Sequence, residues 1–321
     1  MTVRVPAKVN LQLGVGPIRD DGYHDLVTVF HAVSLFDEVT AEPVGGTHAA
    51  EGLTIVRDDG PLAVTVEAAP GAQVDIGDVP TGADNLAARA AQLVADRLGV
   101  EPRVRLRIRK AIPVAGGMAG GSADAAAALV ACARLWDDGE EPRLDREELL
   151  ELGAALGSDV PFAMLGGTAV GLGRGERLTP ALTRGTFHWV FATADGGLST
   201  PAVYAECDRV REAQGERVAW PQVSQNLMTA LATGDAKALG AALGNDLQPA
   251  ALLLRPSLRR TLDAGRDLGA IGSLVSGSGP TCAFLAESEN HAAELAAELG
   301  GLGVARAVVR AHGPVPGATV I

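Results

Sequence analysis

The chain has 321 residues, 47% of them hydrophobic and only 3% aromatic, with a formal net charge of −12. That length suits two packed domains with cores of Ala, Val and Leu, and the negative charge excludes polyanions, so neither nucleic acid nor an acidic membrane is an expected partner. Cys132, Cys207 and Cys282 are odd in number and lack zinc spacing, which reads as reduced thiols in cytoplasm. No signal peptide is visible from Met1 to Gln12, and the longest apolar stretch, Ala125 to Ala133, is shorter than the roughly 18 residues of a membrane span.

Thr2 to Leu13 is rich in Val and reads as a strand broken early by Pro6, followed by a turn at Asp20 to Gly22. Short strands are predicted at Val27 to Leu35, Val39 to Ala41, Leu53 to Val56 and Leu62 to Glu67. Asn85 to Leu98, capped by Asp84, places Leu86, Ala90, Leu93, Val94 and Leu98 on one helical face. A strand at Val104 to Ile108 precedes helices at Ala123 to Trp136 and Arg146 to Leu156, the latter capped by Asp145. A boundary is drawn near Pro180. Beyond it, a buried strand at Phe187 to Ala194 leads to helices at Ser224 to Ala232, Ala236 to Leu243 and Pro256 to Leu268. A strand, a Gly-rich turn and a strand at Gly272 to Leu285, a helix at Asn290 to Leu299 and a strand at Ala305 to Ala311 complete an α+β order.

Pro113 to Asp124 sets Gly116, Gly117, Gly120 and Gly121 just before a helix, capped by Ser122. Unpaired backbone N–H groups and the positive end of the helix dipole make such a start an anion cradle. The loop has no Gly-Lys-Ser/Thr and no Gly-x-Gly-x-x-Gly, which excludes Walker A and Rossmann assignments. A flexible strand-to-helix connection is the plainer reading for one or two glycines. Four in six residues, each costing roughly 0.5–1 kcal/mol of entropy, point instead to a backbone requirement.

The loop resembles the central motif of the GHMP small-molecule kinases, whose Pro-x-x-x-Gly-Leu-Gly-x-Ser-type segment wraps the phosphates of ATP. Met118, Ala119 and Ala123 depart from its commoner form. Pro6-Ala-Lys-Val-Asn-Leu11 with Asp21-Gly-Tyr-His-Asp25 resembles the first motif of that superfamily, and Ser276-Gly-Ser-Gly-Pro-Thr281 resembles the third. The resemblance implies a two-domain α+β fold: a ribosomal protein S5 domain 2-like N-terminal domain over residues 1–180, which binds ATP, and a ferredoxin-like C-terminal domain over 181–321. It makes Pro113, Val114, Ala115, Gly116, Gly117, Met118, Ala119, Gly120, Gly121, Ser122 and Ala123 the ATP loop, with Asn85 and Lys110 near adenine.

Lys8 by position alone reads as a surface lysine, and Ser158-Asp159-Val160-Pro161 as a turn or cap. The resemblance makes Lys8 and Asp159 the catalytic pair, with Mg2+ as cofactor beside ATP and Ser122 as a candidate metal ligand. It also implies an acceptor alcohol carrying a cytidine diphosphate group, bound through Asn10, Tyr23, His24, Thr200 and Tyr204. Both tyrosines of the chain fall on the two base-stacking positions. Asp21 to His24 argues against homoserine, mevalonate or galactose as acceptor, and the presence of both Lys8 and Asp159 argues against a catalytically silent nucleotide binder. His31, His48, His188, His291 and His312 form no ligand spacing. The expected state is a cytoplasmic monomer or weak homodimer.

Overall fold

The computed structural model describes residues 1–44, 61–114, 116–137, 139, 142–215 and 217–321; the strand predicted at Leu53 to Val56, His48 and Ala115 lie outside them. In chain order the elements are β1 (Thr2–Ile18), β2 (His24–Pro43), β3 (Leu62–Ala68), α1 (Leu86–Leu98), β4 (Val104–Lys110), α2 (Gly120–Leu135), α3 (Arg146–Leu156), α4 (Val160–Leu165), β5 (Thr168–Gly173) and β6 (Arg177–Pro180). There follow β7 (Phe187–Thr193), α5 (Thr200–Ala213), α6 (Gln225–Thr233), α7 (Ala236–Ala242), β8 (Gly244–Asn245), α8 (Gln248–Leu254), α9 (Ser257–Asp267), β9 (Gly272–Val275), β10 (Cys282–Ala286), α10 (Glu289–Gly301), β11 (Ala307–Gly313) and β12 (Thr319–Val320).

The first sheet runs β12-β1-β2-β4-β3, with β5 and β6 continuing from β2 and β8 beside β1. Pro6 does not break β1. The β1–β2 register slips between Pro6 and Ala7, where Phe36 and Val33 are the successive partners, and this bulge absorbs the proline's missing donor. The two strands predicted at Val27 to Leu35 and Val39 to Ala41 are accordingly one strand, β2, bent at the same bulge. Strand side chains alternate, so Val5, Ala7, Val9 and Leu11 enter the core under α1 and α2 while Lys8 and Asn10 share the opposite face. Seven alanines among its 16 residues let α2 seat closely on the strands, with Ala125 through Ala128 fully buried.

The second sheet runs β11-β7-β10-β9, and its central strands β7 and β10 are buried on both faces. Phe187, Trp189 and Phe191 join the first core with Leu227 and Leu231 of α6, while Val190 and Ala192 join a second core with Leu262 of α9 and Leu295 of α10. Burial of both faces explains the apolar run from Trp189 to Ala192 in β7. Among the described residues no helix is long and apolar enough to cross a membrane.

Helix starts differ from expectation in two places. Asn85, not Asp84, caps α1, accepting from the N–H groups of Ala87 and Ala88. Helix α2 begins at Gly120 after Ala119, so Ser122 lies inside its first turn and is not its cap. A loop closed through backbone geometry needs no capping side chain, which is why the serine misled.

Candidate active site

A cavity of about 730 Å³ opens between the glycine loop before α2, the cavity-facing side of β1 and β2, the start of α5 and the turn at Gly277 to Gly279. It gathers Lys8, Asn10, Tyr23, His24, Gly116, Gly117, Ala119, Gly120, Gly121, Ser122, Asp159, Thr200 and Tyr204 from the expected set. The turn belongs to the third glycine motif, and the two loops touch. Ser276 Oγ donates to the carbonyl of Gly117 at 3.1 Å, and a Cβ on Gly117 would meet the Ser276 carbonyl at 2.1 Å. Only glycine fits there, on space and on its φ of +74°. Ala119 takes a left-handed φ of +61° without being glycine, alone in this among the described residues. The conformation the loop needs is therefore kept despite the alanine.

Lys8 is 7% exposed; its Nζ donates to Asn10 Oδ1 at 2.6 Å and stands 3.5 Å from Asp159 Oδ2, with the Phe30 ring 5.7 Å away. Asn10 Nδ2 donates to Thr28 Oγ1 at 2.8 Å, and that hydroxyl donates to the Gln12 carbonyl at 2.8 Å. This relay spends both ends of the Asn10 amide on holding Lys8 in place. Asp159 precedes α4, whose Pro161 at the first turn is suited to a helix start. Burial, then the negative charge of Asp159, pushes the Tyr204 phenol above its ordinary value. At the far end His24 meets Tyr204 with ring centroids 5.2 Å apart, and Arg174 lies over the Tyr23 ring at 5.1 Å.

Other expected residues stand outside the cavity wall. Met118 and Ala123 are buried beneath the loop, and Pro113 and Val114 precede its lining part. Asn85 spends its side chain on capping α1 and on the Pro80 carbonyl. Lys110 is buried between Asp37 and Asp124, the latter at 2.7 Å, so its ammonium is consumed by two carboxylates. Burial works against that ammonium, but Asp124 and Asp37 outweigh it and hold Lys110 above its ordinary value. Neither Asn85 nor Lys110 is brought into the cavity. Thr28, Arg174, Asp208 and Ser278 line it without having been expected. Asp208 follows only once α5 is seen as a helix, when Thr200, Tyr204 and Asp208 repeat every fourth residue and so share a face. Ser278 lies inside the Ser276 to Thr281 motif already read from sequence, and nothing local marks Thr28 or Arg174. Among the described residues no group of three or more His, Cys, Asp or Glu is placed to hold a metal.

The profile of the GHMP kinases N terminal domain matches residues 85–167 and that of the GHMP kinases C terminal matches 227–305. A 4-diphosphocytidyl-2-C-methyl-D-erythritol kinase of Thermobifida fusca is 58% identical over 321 residues, covering 100% of this chain and 98% of the relative. The chain belongs to the GHMP kinase family. A kinase of the same description from Nocardia farcinica is 57% identical over 99% of this chain and 95% of its own length. A crystal structure of 4-(cytidine 5'-diphospho)-2C-methyl-D-erythritol kinase superposes with a TM-score of 0.74 at 32% identity, over 97% of this kinase and 98% of that chain. Homoserine kinase from Cytophaga hutchinsonii shares the two-domain fold, with a TM-score of 0.69 at 17% identity over 100% and 97% of the two chains.

Proposed function

We propose that this kinase transfers the γ-phosphoryl group of ATP to the C2 hydroxyl of 4-diphosphocytidyl-2-C-methyl-D-erythritol, giving the 2-phosphate and ADP. The step belongs to the non-mevalonate (methylerythritol phosphate) route to isopentenyl diphosphate. The observation that carries the reading is Lys8 Nζ at 3.5 Å from Asp159 Oδ2, in one cavity with the glycine loop and the Tyr23, His24 and Tyr204 cluster. Phosphoryl transfer asks for an in-line alcohol, neutralised phosphate oxygens and an acceptor for the hydroxyl proton. The backbone N–H groups at the start of α2 receive the ATP phosphates. Asp159 takes the proton from the C2 hydroxyl, and Lys8, steadied by Asn10 and Thr28, orients the hydroxyl and offsets charge on the transferring group.

Mg2+ fits the hard oxygen donors present. Ser122 Oγ has no side-chain hydrogen bond among the described residues, and it lies 4.0 Å from a Cβ placed on Gly157, beside the Asp159 segment. Ser122 would hold the ion together with ATP oxygens, as Mg2+ takes few protein ligands, and the ion would neutralise phosphate charge. Residues 1–180 form the ATP-binding domain and 181–321 complete the acceptor site through α5, in a cytoplasmic monomer or weak homodimer.

The testing experiment measures ADP release with the cytidyl alcohol, homoserine, mevalonate and galactose as acceptors. Turnover confined to the cytidyl alcohol is expected. Turnover of another alcohol in its place would overturn the acceptor assignment.

A further inference from the structure

We infer that Asp208 is a positioning residue that sets which nucleobase the acceptor site takes, by fixing the ring proton of His24. The inference rests on the proposed function and deepens it, from holding an aromatic base to choosing between an amino and a carbonyl edge.

His24 begins β2, is 7% exposed and lines the cavity. Its Nε2 stands 2.9 Å from Asp208 Oδ1. A carboxylate only accepts, so the proton of this contact sits on Nε2, and in the tautomer this contact selects the lone pair lies on Nδ1. Among the described residues Nδ1 has no protein partner, although the ring is nearly buried. An acceptor left open on the cavity wall beside a stacking surface is placed to take a donor from the ligand. Cytosine supplies one through its exocyclic amino group, whereas the uracil ring carries a carbonyl oxygen at the same place. Against uracil, two lone pairs face each other.

The helix that carries Asp208 is built for this. Thr200, Tyr204 and Asp208 share one face of α5 and span about 12 Å of helix axis. At the first, Thr200 Oγ1 pairs with Ser278 Oγ at 2.9 Å beside the third glycine motif; at the second, the Tyr204 ring tilts 33° to that of His24; the third reaches Nε2. Neighbouring arginines do not compete. Arg209 pairs with Glu206 and Arg211 with Asp246, which leaves His24 as the hydrogen-bond partner of Asp208 among the described residues.

The test compares kcat/KM for the cytidyl alcohol and for the same molecule bearing uracil, in the wild type, Asp208→Asn and Asp208→Glu. An asparagine can turn its NH2 toward Nε2, which moves the ring proton to Nδ1 and makes that atom a donor. The cytosine-to-uracil preference is expected to fall roughly tenfold or more in Asp208→Asn, the scale of one mispaired buried hydrogen bond. The loss should appear in KM for the cytidyl acceptor, not in KM for ATP, and Asp208→Glu should recover part of the preference. A merely structural role would lower both acceptors alike, and an Asp208→Asn preference within about twofold of wild type, less than one such bond contributes, overturns the inference alone. A wild type that phosphorylates neither nucleotide alcohol overturns the proposed function and this inference with it.

Discussion

Ala119 carries backbone strain at the mouth of the phosphate loop. Its φ of +61° costs an L-residue about 1–2 kcal/mol, and a β-branched side chain more. Ala119→Val is therefore expected to lower stability by at least about 1 kcal/mol and to raise KM for ATP, read from urea unfolding and initial rates. Unfolding and rates like those of wild type would show that the loop relaxes into another conformation. Gly117 is more constrained still. Gly117→Ala drives a Cβ into the Ser276 carbonyl, so the two glycine loops must part, and a loss of about 1–3 kcal/mol with weakened ATP use is expected. The glycines are legible in sequence because the backbone dictates the residue type. Ala119 is the exception, since nothing in its sequence surroundings announces a left-handed alanine.

Lys110 couples three elements at the root of the same loop. Asp37 from β2 accepts the N–H groups of Ala111 and Ile112 as well as the Lys110 ammonium, and Asp124 sits in the second turn of α2. Burial pushes Asp124 well above the usual carboxylate range, against the pull of Lys110. Lys110→Met would strand two buried carboxylates, and a loss of about 3–5 kcal/mol is expected by denaturant titration. A loss below about 1 kcal/mol, typical of a surface pair, would contradict a structural ion triad. Element legibility followed the width of the apolar stripe. Helix α3, with its capping box at Asp145 and Glu148, is plain from sequence, whereas α5 buries only Val203 and Cys207 and leaves little periodicity to read. Thr28 and Arg174 reach the cavity through sheet register and turn placement, which no short window records.

At the scale of the molecule, His31 sits where the two sheets meet. Its Nδ1 is 2.8 Å from Thr168 Oγ1, it contacts the rings of Phe187 and Trp189, and a Cβ on Gly313 would collide with it. Burial pushes His31 down from 6.5 to about 3. The imidazole is neutral in both folded and unfolded chains above pH 6.5, where its contribution is fully present. As pH falls from about 6.5 toward 3 the unfolded chain takes up a proton that the folded one refuses, and stability declines by up to about 1.4 kcal/mol per pH unit. Urea midpoints at pH 7 and 5 should therefore diverge more for wild type than for His31→Gln; equal divergence would place the acid sensitivity elsewhere. Elsewhere between the two sheets, the start of α5 and the third glycine motif line the cavity that holds Lys8 and Asp159. The most direct test of that assembly is the single-turnover rate of phosphoryl transfer to the cytidyl alcohol in wild type and Asp159→Asn, with ATP binding measured alongside. A fall of about 10³-fold with ATP affinity retained is the result expected for a lost proton acceptor; an Asp159→Asn protein that keeps the wild-type rate would contradict it.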